Sequence, residues 1–447
     1  MRIFIVGAGE VGTHLAEMLS HEHHDIVLLD QNPENLQFAY DNRLEMMPVV
    51  GSPTSFNDLQ NAGAGNADLF IAVTPEESAN LVACNIATQM GASKTLARIN
   101  NSEYLKPTFR NHFANLGVND MLYPEELASK EIVSSLSLPW AKQYWSILNH
   151  KLELVAARVT KDSPLVGKAL KELADLSQKV IHIIAIVRDY DTIIPRGTHL
   201  IQENDILYLT VMPNDLEKAR SFCGQKELEI HRVIIMGGSR IAVKTAQALP
   251  EHLNIKIIEQ DYDKCMKLSE IVPENTLIIH GDGRDPNLLI NEGIKKTEAF
   301  LALTSSSESN MLATLNAKRL GIPISVCQIE NLDYLDIANE MKIGNLINKK
   351  LLAASAIFRY LLNVDVSNAK TLSIGQGEVL EIQVRENSLV TKKPVMELSI
   401  PNDITLGGLL RGNEVLLVEG KTQIQAGDLV MVFSHNASVN ELNKLFG

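Results

Sequence analysis

The sequence predicts an α/β protein built from two copies of one plan, each a larger parallel-sheet unit followed by a small α+β module. Three observations predict it: a self-match at a fixed offset, short apolar runs alternating with helical patterns, and a glycine-rich turn between a strand and a helix. Gly7 lies 230 residues before Gly237, and the same offset joins Gly51 to Gly281, Thr74 to Thr304, Asn80 to Asn310, Gly91 to Gly321 and Tyr104 to Tyr334. The stretch AGAGNADLFIAVTPEESANLVACNIATQMG lies over EGIKKTEAFLALTSSSESNMLATLNAKRLG. The ends of the halves match at a second offset, with Gly197 and Asp205 lying 223 residues before Gly420 and Asp428. Large units are expected over residues 1–145 and 229–368, and small modules over 146–228 and 369–447.

Each element has a local reason. Ile3–Val6 is an apolar run ending at a glycine, as a buried parallel strand should. Val11, Leu15, Met18 and Leu19 recur at helical spacing. Ile26–Leu29, Met47–Val50, Leu69–Val73 and Thr95–Ile99 read as further strands, with Met46-Met47 expected in the core. Strand–helix alternation at this spacing implies a parallel sheet with right-handed crossovers. In the first small module Leu152–Val159, Ile181–Val187 and Ile206–Val211 read as strands bounded by turns. Trp140 and Trp145 lie in SLPWAKQYWSIL, whose apolar residues fall at helical spacing, and suit an interface or an internal core equally.

Composition narrows the function. The chain has 447 residues, of which 45% are hydrophobic and 21% charged, so it is globular rather than disordered. Lys and Arg total 41 against 54 Asp and Glu, a net charge of −13, which argues against a broad nucleic-acid surface or an anionic lipid surface as main partner. Cys84, Cys223, Cys265 and Cys327 show no C-x-x-C spacing and read as free thiols of a reducing compartment. No run approaches the ~18 apolar residues of a membrane span, and MRIFIVGAGE lacks the features of a signal peptide. A soluble, cytoplasmic protein is expected, reaching a membrane only by docking on another protein.

Gly7-Ala8-Gly9-Glu10-Val11-Gly12 is a G-x-G-x-x-G following a strand and opening a helix. The first glycine permits the tight turn, the second lets backbone approach a pyrophosphate, and the third lets helix pack closely on strand. Phosphates would meet free N–H groups and the positive end of the helix dipole. Asp30 ends the second strand 18 residues beyond Gly12, where a carboxylate accepts ribose hydroxyls and repels a 2′-phosphate. That disfavours NADP and leaves NAD, ATP and ADP open. Gly51-Ser52, Val73-Thr74 and Arg98 are expected at the strand ends, Arg98 as a phosphate fork or else in a salt bridge to Asp30 or Glu77.

The second half has Gly237-Gly238-Ser239-Arg240-Ile241-Ala242, with Ser239 in place of the middle glycine. Glu259 stands for Asp30, Gly281-Asp282-Gly283 for Gly51-Ser52-Pro53, and Gln328 for Arg98, with Thr304 matching Thr74. The second crevice therefore keeps acidic ribose-side groups and loses a phosphate cation, which Arg240 would restore from the loop. An oxidoreductase would need an acid, base or orienting cation beside a nicotinamide. His182 and His199 stand singly and the other half lacks both, so no catalytic residue is assigned. His21, His23 and His24 read as a solvated loop rather than a metal site. A nucleotide sensor for another transporter is a further alternative.

Ile5-Val6-Gly7-Ala8-Gly9-Glu10-Val11-Gly12, Leu29-Asp30, Ala97-Arg98-Ile99-Asn100 and the ESANLVAC stretch at 77–84, within the twofold array, carry a resemblance over essentially the whole chain. The sequence resembles the regulatory subunits of Trk-type potassium uptake systems, the TrkA family, which are tandem arrays of Rossmann-like RCK domains (regulators of conductance of potassium). The resemblance implies a non-catalytic subunit, peripheral on the cytoplasmic face of a TrkH-type membrane potassium channel subunit. It implies binding of NAD, NADH, ATP or ADP and assembly into a dimeric or tetrameric ring that gates the channel. The small modules resemble the RCK C-terminal module. At Ser52 the family usually has an acidic residue or Asn.

Overall fold

The computed structural model describes residues 1–20, 24–41, 45–176, 180–189, 191–358, 360, 365–372, 377–435 and 439–447. The chain divides into two units, one holding residues 1–127 with the helix Lys349–Phe358, the other holding residues 128–348 and those from 365 onward. In the first unit β1 (Arg2–Val6), α1 (Glu10–Ser20), β2 (Asp25–Asp30), α2 (Gln37–Asp41), β3 (Met46–Val50), α3 (Phe56–Asn61), β4 (Leu69–Ala72), α4 (Glu77–Met90), β5 (Thr95–Arg98), α5 (Pro107–Asn115) and β6 (Asp120–Leu122) alternate. The sheet order is β3-β2-β1-β4-β5-β6 with every pair parallel. Chain order reverses between β1 and β4, the place where such sheets open a ligand crevice. Ile3 to Val6 and Leu69 to Ala72 are buried, and Phe4 stacks on Phe70 with ring centroids 5.2 Å apart.

Strand β3 is the sheet's edge, and this corrects one expectation. Met46 is half-buried and Met47 is 52% exposed, because an edge strand has a neighbour on one side only. Of the three histidines in the first loop, His21 and His23 lie outside the described residues.

Helix α6 (Pro124–Ser137) leads into the first small module: β7 (Gln143–Ile147), β8 (Leu152–Arg158), α7 (Leu170–Leu176), β9 (Ile181–Arg188), β10 (Asp191–Ile193), β11 (Ile206–Val211) and α8 (Leu216–Phe222). Its antiparallel sheet has the order β10-β9-β11-β8-β7. Trp145 therefore sits in a strand, not in the helix its spacing suggested; α6 ends at Ser137. Trp140 and Trp145 are both buried in cores of the second unit.

The second large unit repeats the first: β12 (Arg232–Met236), α9 (Arg240–Ala248), β13 (Asn254–Glu259), α10 (Tyr262–Ser269), β14 (Thr276–His280), α11 (Pro286–Asn291), β15 (Ala299–Ala302), α12 (Ser307–Arg319), β16 (Ile324–Gln328), α13 (Tyr334–Glu340) and β17 (Asn345–Ile347). The order β14-β13-β12-β15-β16-β17 and the parallel pairing are the same. Helix α14 (Lys349–Phe358), which the repeat places at the end of this unit, packs instead on α1 of the first unit. The last module holds β18 (Asp365–Thr371), β19 (Glu378–Gln383), β20 (Ile404–Arg411), β21 (Glu414–Leu417), β22 (Leu429–Ser434) and α15 (Val439–Phe446), in the order β18-β19-β22-β20-β21.

The two small sheets share one core. Trp145, Leu152 and Tyr208 of one pack with Leu372, Leu410 and Phe433 of the other. Glycine lets them close: a Cβ on Gly408 would stand 2.5 Å from Leu152 Cδ2. The Leu148 amide donates to Glu381 Oε2 at 3.2 Å across the seam.

Each module also repeats a buried ion pair. Arg188 grips Asp205 through Nε and Nη2, both at 2.8 Å, and Arg411 grips Asp428 at 2.9 and 2.7 Å. Each aspartate is 1% exposed. Removing one partner of a buried pair costs roughly 3–5 kcal/mol, and the arginines keep some water. Asp205→Asn and Asp428→Asn should therefore each lower unfolding stability by about 3 kcal/mol, the low end of that range, read by denaturant titration. A loss in only one variant would show that the pairs are not equivalent.

Candidate functional site

Three glycines shape the turn between β1 and α1, each differently. Gly7 has φ +101°, and a Cβ there would stand 2.9 Å from the Thr74 amide nitrogen. A Cβ on Gly12 would fall 1.8 Å from the Gly7 carbonyl oxygen, so helix meets strand only without a side chain. Around the Cβ position of Gly9 nothing lies within 4 Å. That open space lies at the N-terminal end of α1, where helix amides and dipole favour a phosphate.

Asp30 closes the other side. Its Oδ2 accepts from the Ala8 amide at 2.7 Å, and its Oδ1 from the Asn32 amide at 2.8 Å and Asn35 Nδ2 at 3.2 Å. A crevice of about 790 Å³ opens at the β1/β4 switch point, lined by Gly7, Asp30, Ser52 and Thr74 among others. That volume suits a small-molecule ligand. The Ser52 amide donates to Asp58 Oδ2 at 2.8 Å, which holds the loop after β3.

The structure does not bring every expected residue to this crevice. Val11 and Val73 are buried in the core, and Gly51 packs against Leu29 and Asp58. Ala8, 3% exposed, contributes its amide to Asp30 rather than a side chain to the wall. Glu10 opens α1, and its side chain lies outside the described residues. Arg98 is a correction: its side chain is 20% exposed, its Nη2 lies 3.9 Å from Glu125 Oε1, and it is not in the crevice wall. Neither Asp30 nor Glu77 pairs with it. Glu77 instead accepts from the amides of Asn100 and Asn101 at 2.7 and 3.0 Å.

Asn80 is one residue that sequence reasoning does not assign to the site. It is fully buried, accepts from the Thr74 amide and hydroxyl at 2.9 and 2.7 Å, and donates to the carbonyls of Thr74 and Arg98 at 2.9 Å each. Asn310 repeats this for Thr304 and Gln328. Its signal was the 230-residue self-match of Asn80 to Asn310.

The second crevice, about 390 Å³, is lined by Gly237, Ser239, Glu259, Asp282 and Thr304 among the expected residues. Ile241 is core, Gly238 is buried with its amide on Glu259, and Gly281 packs against Leu288. Arg240 is exposed and outside the wall, so it does not replace the missing cation. Lys264 and Arg284 line the crevice instead. Lys264 Nζ lies 2.6 Å from Glu259 Oε2, and Arg284 grips Asp282 through Nε and Nη2. Burial alone would raise the Glu259 carboxyl, but the Lys264 ammonium and the amides of Gly238 and Asp261 outweigh it and hold it below its ordinary value. The Arg284 guanidinium, against a smaller opposing effect of burial, brings Asp282 down to about 2.

Comparison with known proteins meets this geometry. The TrkA-N domain family matches residues 3–124 and 233–349, and the TrkA-C domain family matches 154–224 and 379–447. The chain belongs to the TrkA family. The Trk system potassium uptake protein TrkA of Haemophilus influenzae is 32% identical over 100% of this chain and 98% of its own. That of Vibrio alginolyticus is 31% identical over the same shares. The GsuK RCK domain shares the fold at a TM-score of 0.62, with 14% identity over 100% of this chain and 94% of that one. Among the described residues of this TrkA-family chain no helix is long and apolar enough to cross a membrane.

Three outcomes test the two sites. Gly9→Ala should keep the melting temperature and lose nucleotide binding, because its Cβ meets only open space. Gly12→Ala should destabilise the fold by on the order of 1–3 kcal/mol through overpacking, read by thermal unfolding. The Asp282 carboxyl should titrate near 2 by carbon NMR and move upward in Arg284→Ala. Since its folded value is depressed, the pair's stability is present at neutral pH and is lost as pH falls from the ordinary carboxylate range toward 2.

Proposed function

We propose that this chain is the nucleotide-responsive regulatory subunit of a Trk-type potassium uptake system, and that an adenine nucleotide in the first crevice sets its state. The Asp30 carboxylate in the crevice wall, hydrogen-bonded to the glycine turn whose Gly9, itself outside the lining, has open space at its Cβ position, carries this reading. Asp30 accepts ribose hydroxyls and repels a 2′-phosphate, which selects NAD, NADH, ATP or ADP against NADP. Full-length similarity to Trk system potassium uptake proteins supports the transport role. The GsuK channel, which shares the fold with a TM-score of 0.61 and 15% identity, has been solved bound to NAD.

The subunit is non-catalytic and acts by docking from the inner face of the cell membrane on a TrkH-type channel subunit. It works as a dimeric or tetrameric ring of this chain. An apolar side chain repeated in both halves supports that assembly. Val82 on α4, in the wall of the first crevice, and Leu312 on α12, one repeat apart, are 45% and 62% exposed. An exposed apolar position repeated on two pseudo-equivalent units suits a closed ring. A nucleotide shifts the ring between conformations by its differential affinity for them.

A thermal-unfolding panel with NAD, NADH, NADP, ATP and ADP tests the sensor. A ligand at a hundred times its Kd stabilises by about 2.7 kcal/mol, and NADP should give no shift. Asp30→Ala should weaken binding by about 1.5–3 kcal/mol. Potassium flux through a reconstituted TrkH-type channel with this subunit should change with at least one of the bound nucleotides. Flux indifferent to all of them refutes the sensor role.

A further inference from the structure

Given the nucleotide reading above, we propose that the two crevices take different ligands: the first a dinucleotide, the second the polyphosphate chain of a mononucleotide. The second is half the size, about 390 against 790 Å³. The phosphate approach that Gly9 leaves open is occupied there by Ser239. Its Oγ accepts from the Ala242 amide at 3.3 Å, taking a first-turn donor that a pyrophosphate would use.

The carboxylates differ as well. Glu259 Oε1 accepts from the amides of Gln260 and Asp261, and Oε2 from the Gly238 amide and the Lys264 ammonium. Four donors fill the acceptor sites of a carboxylate, and little remains for a ribose diol. Asp30 has three donors and no ammonium among them.

Charge decides the ligand class. Lys264 and Arg284 stand where the first half has Glu34 and Thr54. Ser306 of the second wall stands where the first has Glu76. Lys264 keeps two N–H donors beyond Glu259, and Arg284 keeps part of its fork beyond Asp282. The Arg284–Asp282 pair is exposed enough, at 50% and 39%, to exchange a carboxylate for a phosphate at little cost. A nucleoside triphosphate carries more negative charge than a dinucleotide, and gains more from these cations.

Calorimetric titration of the full chain with NAD, ATP and inorganic tripolyphosphate tests this. With the first crevice saturated by NAD, ATP should still bind, and tripolyphosphate should compete with it. Arg284→Ala should weaken that ATP binding roughly tenfold or more and leave NAD affinity unchanged, with Arg284→Lys recovering part of the loss. Displacement of ATP by NAD one for one, two NAD per chain, or unchanged ATP affinity in Arg284→Ala overturns the assignment. NAD binding without ATP or tripolyphosphate binding sinks this division alone. No binding of any nucleotide sinks the sensor reading with it.

Discussion

A carboxylate at the end of the second strand, hydrogen-bonded to an amide of the glycine turn, is the interaction on which both crevices depend. Asp30 holds the Ala8 amide at 2.7 Å and Glu259 holds the Gly238 amide at 2.8 Å. The bond ties the turn after the first strand to the end of the second, and so fixes the mouth between them. The amide is a backbone group, so the contact survives changes in the turn's side chains. It also forces a choice, because an oxygen that holds the turn has fewer lone pairs for a ligand. Asp30 remains part of a wide wall. Glu259, with Lys264 added, is closer to a structural strut.

Duplication preserved the frame and released the chemistry. Both sheets keep the same strand order, and Asn80 and Asn310 clamp the loop after the fourth strand with the same four bonds. Both asparagines are fully buried, and their bonds would be costly to leave unmade. Residues facing solvent in the crevice carry no such penalty. There Ser239 stands for Gly9, and Lys264 and Arg284 stand for Glu34 and Thr54. The same logic explains Glu77 and Ser307: both cap the amides after the fifth strand, one with a carboxylate, the other with a hydroxyl.

The small modules extend this frame. Their two sheets bury Trp145, Tyr208 and Phe433 in one common core, so the modules of the second unit stabilise one another. A module of this size has little interior of its own. Face-to-face packing supplies what each lacks, and Gly407 and Gly408 keep the seam free of side chains that would hold the sheets apart.

The sequence by itself determined the duplicated plan, the parallel sheets and the glycine turn with its acidic partner. These rest on local rules: the period of apolar residues, the need for glycine at a tight turn, and a self-match that survives substitution. It also marked Asp30, Ser52, Thr74, Glu259, Asp282 and Thr304 at the crevices, since their place follows from strand ends alone. Only the tertiary structure decided which charges face the ligand. Arg98 lies near Glu125, Arg240 is exposed outside the wall, and Lys264 and Arg284 arrive from a helix and a loop distant in sequence from the glycine turn. A long cation reaches whichever carboxylate packing brings near it, and neither spacing nor periodicity carries that information. The same holds for Trp145 in a strand and for α14 on α1, where burial against a partner remote in the chain overrode the local pattern.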